Sequence, residues 1–461
     1  MPHALLAELA NSLPAEALIT SPTRLAPRLV DARKRLQGQT LALALPGSAE
    51  EAAQIIGRCH AHGVSVVPQA GNTSLVGGAT PMSPTSLLLG CDRLKQVRYI
   101  DPTGYTLTAE AGCILDDIRA VAEVAGRLFP LWLGSSGSAR LGGLIGTNAG
   151  GLQVQRYGNT RELVLGIEAV LPDGSIFKGL HPLRKRNAGY DLKQLFIGAE
   201  GTLGFVTAAT LRLFPLERGA AVAMVALDDA EQVLALFAEA KANLGEVLTA
   251  FEMIDRESLN LMAHHHSTIA QPFDVPPPFA VLIALSGGET DAVLMERLTE
   301  CLLANGYEDA ALAQDGSQAK ALWALREHIP SAQTRQGPSI KHDLALPISA
   351  IPAFVAEAAT LLAQRLPAAK PVVFGHVGDG NLHYNLSLPV SEDFATSEAL
   401  ANQLLFDLVA RHGGDISAEH GIGRLRIAAA DAGHDPVERA LMRQIKASLD
   451  PDGFFNPGVL L

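Results

Sequence analysis

Four glycine-dense segments constrain how this chain can fold more than any other feature. They run over 68–81 (PQAGNTSLVGGATP), 130–151 (PLWLGSSGSARLGGLIGTNAGG), 197–207 (IGAEGTLGFVT) and 454–458 (FFNPG). Glycine clustered in this way lets backbone approach something flat, or curl around an anion, where a Cβ would intrude. The first segment follows a β-rich run, VSVVPQ, and is not a GxGxxG fingerprint. It offers consecutive backbone N–H groups at Gly71, Asn72, Thr73 and Ser74, and Gly77 and Gly78 let the chain curl. Such a nest can cradle a pyrophosphate without a lysine. One loop alone could be an ordinary glycine turn; four in this order point to a bound nucleotide.

The chain has 461 residues, more than one compact core usually holds, so two or more domains are expected. Up to about residue 215 short strands alternate with glycine turns, and Ser48 with Glu51 reads as a capping box opening a helix. From about 220 the texture changes to longer strand–helix alternation. AVAMVAL, TAFEMID and FAVLIALSG are strands, and Asp228 with Glu231 opens a helix. We expect an α+β protein: a glycine-rich domain over 1–215, a second over 216–425 with an antiparallel sheet backed by helices, and a C-terminal segment over 426–461.

Hydrophobic residues make up 48% and charged residues 18%, the balance of a well-buried globular protein. The formal net charge is -12 and no Lys/Arg cluster stands out, which argues against a nucleic-acid partner. Cys59, Cys91, Cys113 and Cys301 never form a CxxC pair, so neither a disulfide framework nor a thiolate zinc site is expected. The N-terminus lacks a signal-peptide pattern, and no apolar run reaches the ~20 residues of a transmembrane segment. A cytoplasmic protein is expected.

FGHVGDGNLHYNLSL (374–388) is the candidate for metal chemistry. Two β-rich runs flank Asp379-Gly380, a strong hairpin signal. With those two residues as the loop, Gly378 faces Asn381, Val377 faces Leu382 and His376 faces His383. Cross-strand neighbours have Cβ atoms roughly 5 Å apart on one face, and Asn385 shares the face of His383. A lone strand histidine is usually a satisfied polar residue; a register-matched pair suggests a ligand pair. SAEHGIG (417–423) adds Glu419 and His420. Two histidines and a glutamate would make an open three-ligand site suited to Zn²⁺. The rival run His264, His265 and His266 reads as solvent-exposed. Arg326, in a helix that ends at Pro330, and Lys341, on a short strand, are either surface charges or the grip on an acidic substrate. Arginine binds a carboxylate through a planar fork, lysine as a mobile point charge.

These segments together resemble the FAD-binding domain of the vanillyl-alcohol-oxidase / PCMH-type flavoproteins, and closely their D-2-hydroxy-acid dehydrogenase branch. The resemblance covers about residues 40–461. It implies a PCMH-type FAD-binding domain, a substrate cap and a C-terminal segment that returns to the FAD domain. It implies FAD contacts at Gly71 to Ser74, Gly77 and Gly78 (pyrophosphate), and at Leu133, Gly134, Ser138, Gly142, Gly143, Thr147, Gly150 and Gly151 (flavin). Gly201, Thr202, Val206 and Asn456 match further contacts. His376, His383 and Glu419 match a divalent-metal site, His420 a general base, and Arg326 a substrate-carboxylate ligand. Lys341, in a K-x-D-x-x-x-P context, is more similar to the D-2-hydroxyglutarate dehydrogenases than to the D-lactate or glycolate ones.

Ala70, Trp132 and Val459 depart from the pattern at a usual glycine, aspartate and lysine. Pro330 stands where a threonine is expected near the distal carboxylate, which leaves D-malate- and D-lactate-type substrates open. The implied reaction moves the hydroxyl proton to His420 and the C2 hydride to flavin N5, with the metal as Lewis acid and Asn385 orienting the substrate. An electron-transfer flavoprotein or a quinone is the expected acceptor and a homodimer the default assembly. A non-catalytic flavoprotein subunit and a flavin-independent metal hydrolase are the rival classes.

Overall fold

The computed structural model describes residues 2–461, which divide into two units. The first comprises 2–151, 157–215 and 419–461; the second comprises 152–156 and 216–418. The return to the first unit thus begins at Glu419, earlier than the 426 read from the sequence, and brings Glu419 and His420 with it.

The first unit holds two main sheets. The four-stranded one has the order Leu18–Ile19, Ala42–Ala44, Leu87–Gly90, Val66–Gln69, its last three strands parallel. All of Leu87–Gly90 is buried, as a continuous apolar run in a parallel sheet should be. The crossover helix Ala49–Ala61 starts where Ser48 accepts from the Glu51 N–H, and it buries Ala52, Ile55, Ile56 and Cys59 against the sheet. Glu51 bonds back to the Gly47 N–H, one residue short of a capping box. The C-terminal segment adds itself beside Val66–Gln69 through a parallel bridge from Val66 to Phe455. The five-stranded sheet is antiparallel, in the order Val97–Asp101, Thr106–Glu110, Phe205–Arg212, Val164–Val170, Ile176–Gly179. Helices Leu115–Val124 and Leu141–Gly146 pack in its core.

The second unit is built on an antiparallel sheet. Its main order is Ala310–Leu312, Gly219–Leu227, Phe279–Gly287, Leu248–Asp255, Lys370–His376, Asn381–Ser387, Ser339–Ile340. Helices cover both of its faces. Ala221, Ala223, Val225, Phe251 and Met253 face a core shared with helices Ala230–Leu244, Asp291–Ala304, Ile351–Arg365 and Phe394–Arg411. Val222, Met224, Ala250, Ile254, Val372 and Phe374 face a second core with helices Arg256–His265, Gly316–Glu327 and Ile329–Gln336. Period-two alternation therefore puts Glu252 and His376 on the second face, toward the helix that carries Arg326. The Ala230 helix is capped by Asp229, not Asp228: its carboxylate accepts from the Gln232 N–H.

Candidate active site

Within the first unit the glycine loops enclose a cavity of about 400 Å³. Gly71, Asn72, Thr73, Ser74, Gly78, Leu133, Gly134, Gly142, Gly143, Thr147, Gly150, Gly201 and Val206 line it, and so do Glu419 and His420. Gly71 has to be glycine: a Cβ there would lie 2.2 Å from the Ser138 carbonyl oxygen. Five more residues expected at the cofactor are not part of this lining but shape the loops that form it. Gly77 turns the loop at φ +71°, Ser138 packs its carbonyl on Gly71, and Gly151 closes on the Trp132 carbonyl. The Thr202 hydroxyl donates to the Ala199 carbonyl at 2.7 Å. Asn456 donates from Nδ2 to the carbonyls of Gly78 (3.0 Å) and Glu200 (2.7 Å), pinning the first glycine loop to the third.

Glu200 is a residue the sequence reading missed. It sits at φ +49° between Ala199 and Gly201 and lines the cavity. Its carboxylate accepts the backbone N–H of Ile422 at 2.8 Å and of Gly423 at 2.9 Å, holding the loop just past Glu419 and His420. Gly421, at φ +78°, permits the approach. Burial pushes the Glu200 carboxyl up to about 7, against the two N–H bonds and Arg426, which pull it down. The signal was available: one acid inside an otherwise small and apolar loop. Trp132 is 39% exposed and stacks under Arg119, so that departure lies on the surface; Val459 is buried.

The second unit carries the histidine pair. The observed hairpin pairs Phe374 with His383 and Val373 with Tyr384, so His376 does not face His383 as the two-residue loop predicts. A 3₁₀ turn, Val377–Asp379, with Gly380 at φ +87°, takes up extra residues at the tip. The register differs by two, which preserves the face. His376 and His383 remain neighbours, ring centroids 5.8 Å apart, with Phe374 5.0 Å from His383. His383 Nδ1 lies 3.8 Å from the buried Asp343 carboxylate.

His376 is paired the other way, across the sheet to Glu252. Its Nδ1–H donates to Glu252 Oε1 at 2.5 Å, and Arg326 Nε–H donates to Glu252 Oε2 at 2.6 Å. Arg326 Nη2 is 3.4 Å from His376 Nε2, and its guanidinium lies over Phe374. All three are buried. Burial opposes ionisation of Glu252, yet His376 and Arg326 overcome it and hold the carboxyl well below its usual range. Glu252 was missed too, although a lone acid in LTAFEMID is the kind of residue that needs a partner.

Asn385 is buried and engaged: Nδ2 donates to Gln333 Oε1 at 3.1 Å, and Oδ1 accepts from the His342 N–H at 3.1 Å. Lys341 follows the strand Ser339–Ile340 rather than lying in it and is half-buried. The helix that carries Arg326 ends at Glu327, just before Pro330, which stands in the first turn of the next helix, Ile329–Gln336; its carbonyl accepts from Thr334 Oγ1 at 2.9 Å. His264 and His265 close the helix Arg256–His265.

The family models agree with these two halves. Residues 40–179 match the FAD binding domain and residues 216–460 the C-terminal domain of FAD linked oxidases. The chain belongs to the FAD-linked oxidases. A D-2-hydroxyglutarate dehydrogenase of Bos taurus mitochondria is 40% identical over 449 residues, 96% of this chain and 81% of that one. One of Xanthomonas citri pv. viticola is 38% identical over 458 residues, 98% and 96% of the two chains. Substrate-bound p-cresol methylhydroxylase superposes with a TM-score of 0.77 at 15% identity, covering 99% of this chain and 96% of that one, which shows the fold. Among the described residues no helix is long and apolar enough to cross a membrane.

Proposed function

We propose that this FAD-linked oxidase converts D-2-hydroxyglutarate to the 2-oxo acid with the help of a divalent metal, Zn²⁺ first. The names of the relatives support the substrate. The observation that carries the metal reading is the pair His376 and His383 on one sheet face, with His376 Nδ1 already engaged by a buried carboxylate. That bond selects the tautomer with its lone pair on Nε2, the atom that now faces Arg326 Nη2 at 3.4 Å and that an ion favouring imidazole would take over. His376, His383 and Glu419 would hold the metal, which when bound supplies Lewis acidity. Bound FAD supplies the hydride acceptor.

The chain's own residues bind the substrate and move the proton. His420 takes the hydroxyl proton, a step worth roughly 10²–10⁴-fold in rate. Arg326, with Nε committed to Glu252, offers its Nη edge to a carboxylate. Lys341 supplies the second charge that a dicarboxylic acid needs. Asn385 orients the site through Gln333 and the backbone that follows Lys341. An electron-transfer flavoprotein or a quinone takes the electrons, and the protein works as a cytoplasmic homodimer. Pro330 favours a second reading, D-malate or D-lactate, because it places no hydroxyl donor at that position.

Dye-linked oxidation of D-2-hydroxyglutarate, D-malate and D-lactate, before and after chelation, separates these readings. We expect the highest kcat/KM for D-2-hydroxyglutarate, lost with chelator and restored by Zn²⁺. Chelator-insensitive turnover of D-lactate would overturn both metal and substrate.

A further inference from the structure

We infer that Glu252 is a positioning residue shared by the metal-binding and substrate-binding groups, so that one carboxylate couples metal affinity to the grip on the substrate. The inference rests on the metal reading above. The strand Leu248–Asp255 is otherwise buried and apolar, and Glu252 is 1% exposed. A carboxylate in such a place is costly unless both oxygens are partnered. Here each oxygen has its own partner: Oε1 takes His376 Nδ1–H and Oε2 takes Arg326 Nε–H.

The register makes the His376 bond more than incidental. Glu252 and His376 are direct cross-strand partners, and Arg326 descends onto the same face from the helix Gly316–Glu327. A bidentate fork with Arg326 could have partnered both oxygens; here the second oxygen goes to His376 instead. Accepting from Nδ1 fixes the imidazole tautomer and ring plane and raises the basicity of Nε2, the usual work of a carboxylate behind a metal-bound histidine. Holding Nε of Arg326 sets Nη2 3.4 Å from His376 Nε2, beside the metal-ligating atom, and presents the Nη groups to a substrate carboxylate there.

Glu252→Gln keeps an acceptor for His376 but removes the charge and sets an amide N–H₂ against Arg326. Zn²⁺ affinity measured by competition with a chromophoric chelator should fall about 10–100-fold. FAD content per chain should stay at the wild-type value. Arg326→Met should leave Zn²⁺ affinity within about threefold while KM for D-2-hydroxyglutarate rises, because its Glu252–His376 bond is intact. If Glu252→Gln does not fold, as judged by its melting temperature and FAD content, Glu252→Asp carries the test. Its carboxylate is one methylene short of spanning both partners, so it too should lose Zn²⁺ affinity. Wild-type Zn²⁺ affinity in whichever of these two variants folds would overturn the inference and leave the metal reading intact. A wild-type protein that binds no stoichiometric Zn²⁺ would instead overturn the metal reading, and this inference with it.

Discussion

Replacing Glu200 by glutamine should invert the order of stability between wild type and variant as pH rises. In the folded protein burial lifts the Glu200 carboxyl from 4.5 to about 7. Between those values the folded state binds more protons than the unfolded one, so stability is greatest below about 4.5 and falls until about 7. At 1.36 kcal/mol per unit, a shift of about 2.5 units removes on the order of 3 kcal/mol across that window. Glutamine cannot ionise and has no such slope. Its N–H₂ group would meet one of the two N–H donors, Ile422 or Gly423, which costs roughly 1–2 kcal/mol at every pH. The variant should therefore be the less stable protein at pH 5 and the equal or more stable one at pH 8. Urea unfolding at both pH values, followed by flavin fluorescence because the two units need not unfold together, measures the double difference. Asp255 and Asp379, also raised by burial, cancel in that difference. Parallel loss of stability in the two proteins across the window would refute the reasoning.

Other outcomes follow from the same geometry. Gly71→Ala puts a methyl 2.2 Å from the Ser138 carbonyl, so the purified protein should carry little FAD, read from its visible absorbance against protein content. Phe455 is fully buried beside Val66, and Phe455→Ala should cost about 3–5 kcal/mol in the unfolding of the first unit. Lys341→Met should raise KM for D-2-hydroxyglutarate at least tenfold with a much smaller effect on D-lactate, which has no distal carboxylate, in steady-state kinetics (about 1.4 kcal/mol per tenfold).

Much of the site was legible because it is local. The glycine loops declare themselves by composition, and thirteen of the eighteen residues expected at the cofactor line one cavity. The histidine pair survived an error in register: a 3₁₀ turn at Val377–Asp379 shifted the pairing by two residues, and an even shift leaves side chains on the same face. What was illegible is non-local. Glu252 finds its partners 74 and 124 residues away, and Glu200 finds its own 222 and 223 away, so no window of sequence contains both ends of either bond. The bond from Asn385 to Gln333, 52 residues off, was invisible in the same way. Which helices cover which sheet face was illegible for a related reason. FAVLIALSG is buried on both sides, and a continuous apolar run does not say what covers each side.

The central claim is that a D-2-hydroxy acid delivers a hydride to the bound flavin with metal assistance, and anaerobic bleaching of the flavin absorbance tests it most directly. D-2-hydroxyglutarate should bleach the holoenzyme rapidly, slowly or not at all after chelation, and rapidly again when Zn²⁺ is restored. A yellow protein that neither D-2-hydroxyglutarate nor D-malate nor D-lactate reduces, with Zn²⁺ present, would contradict the account.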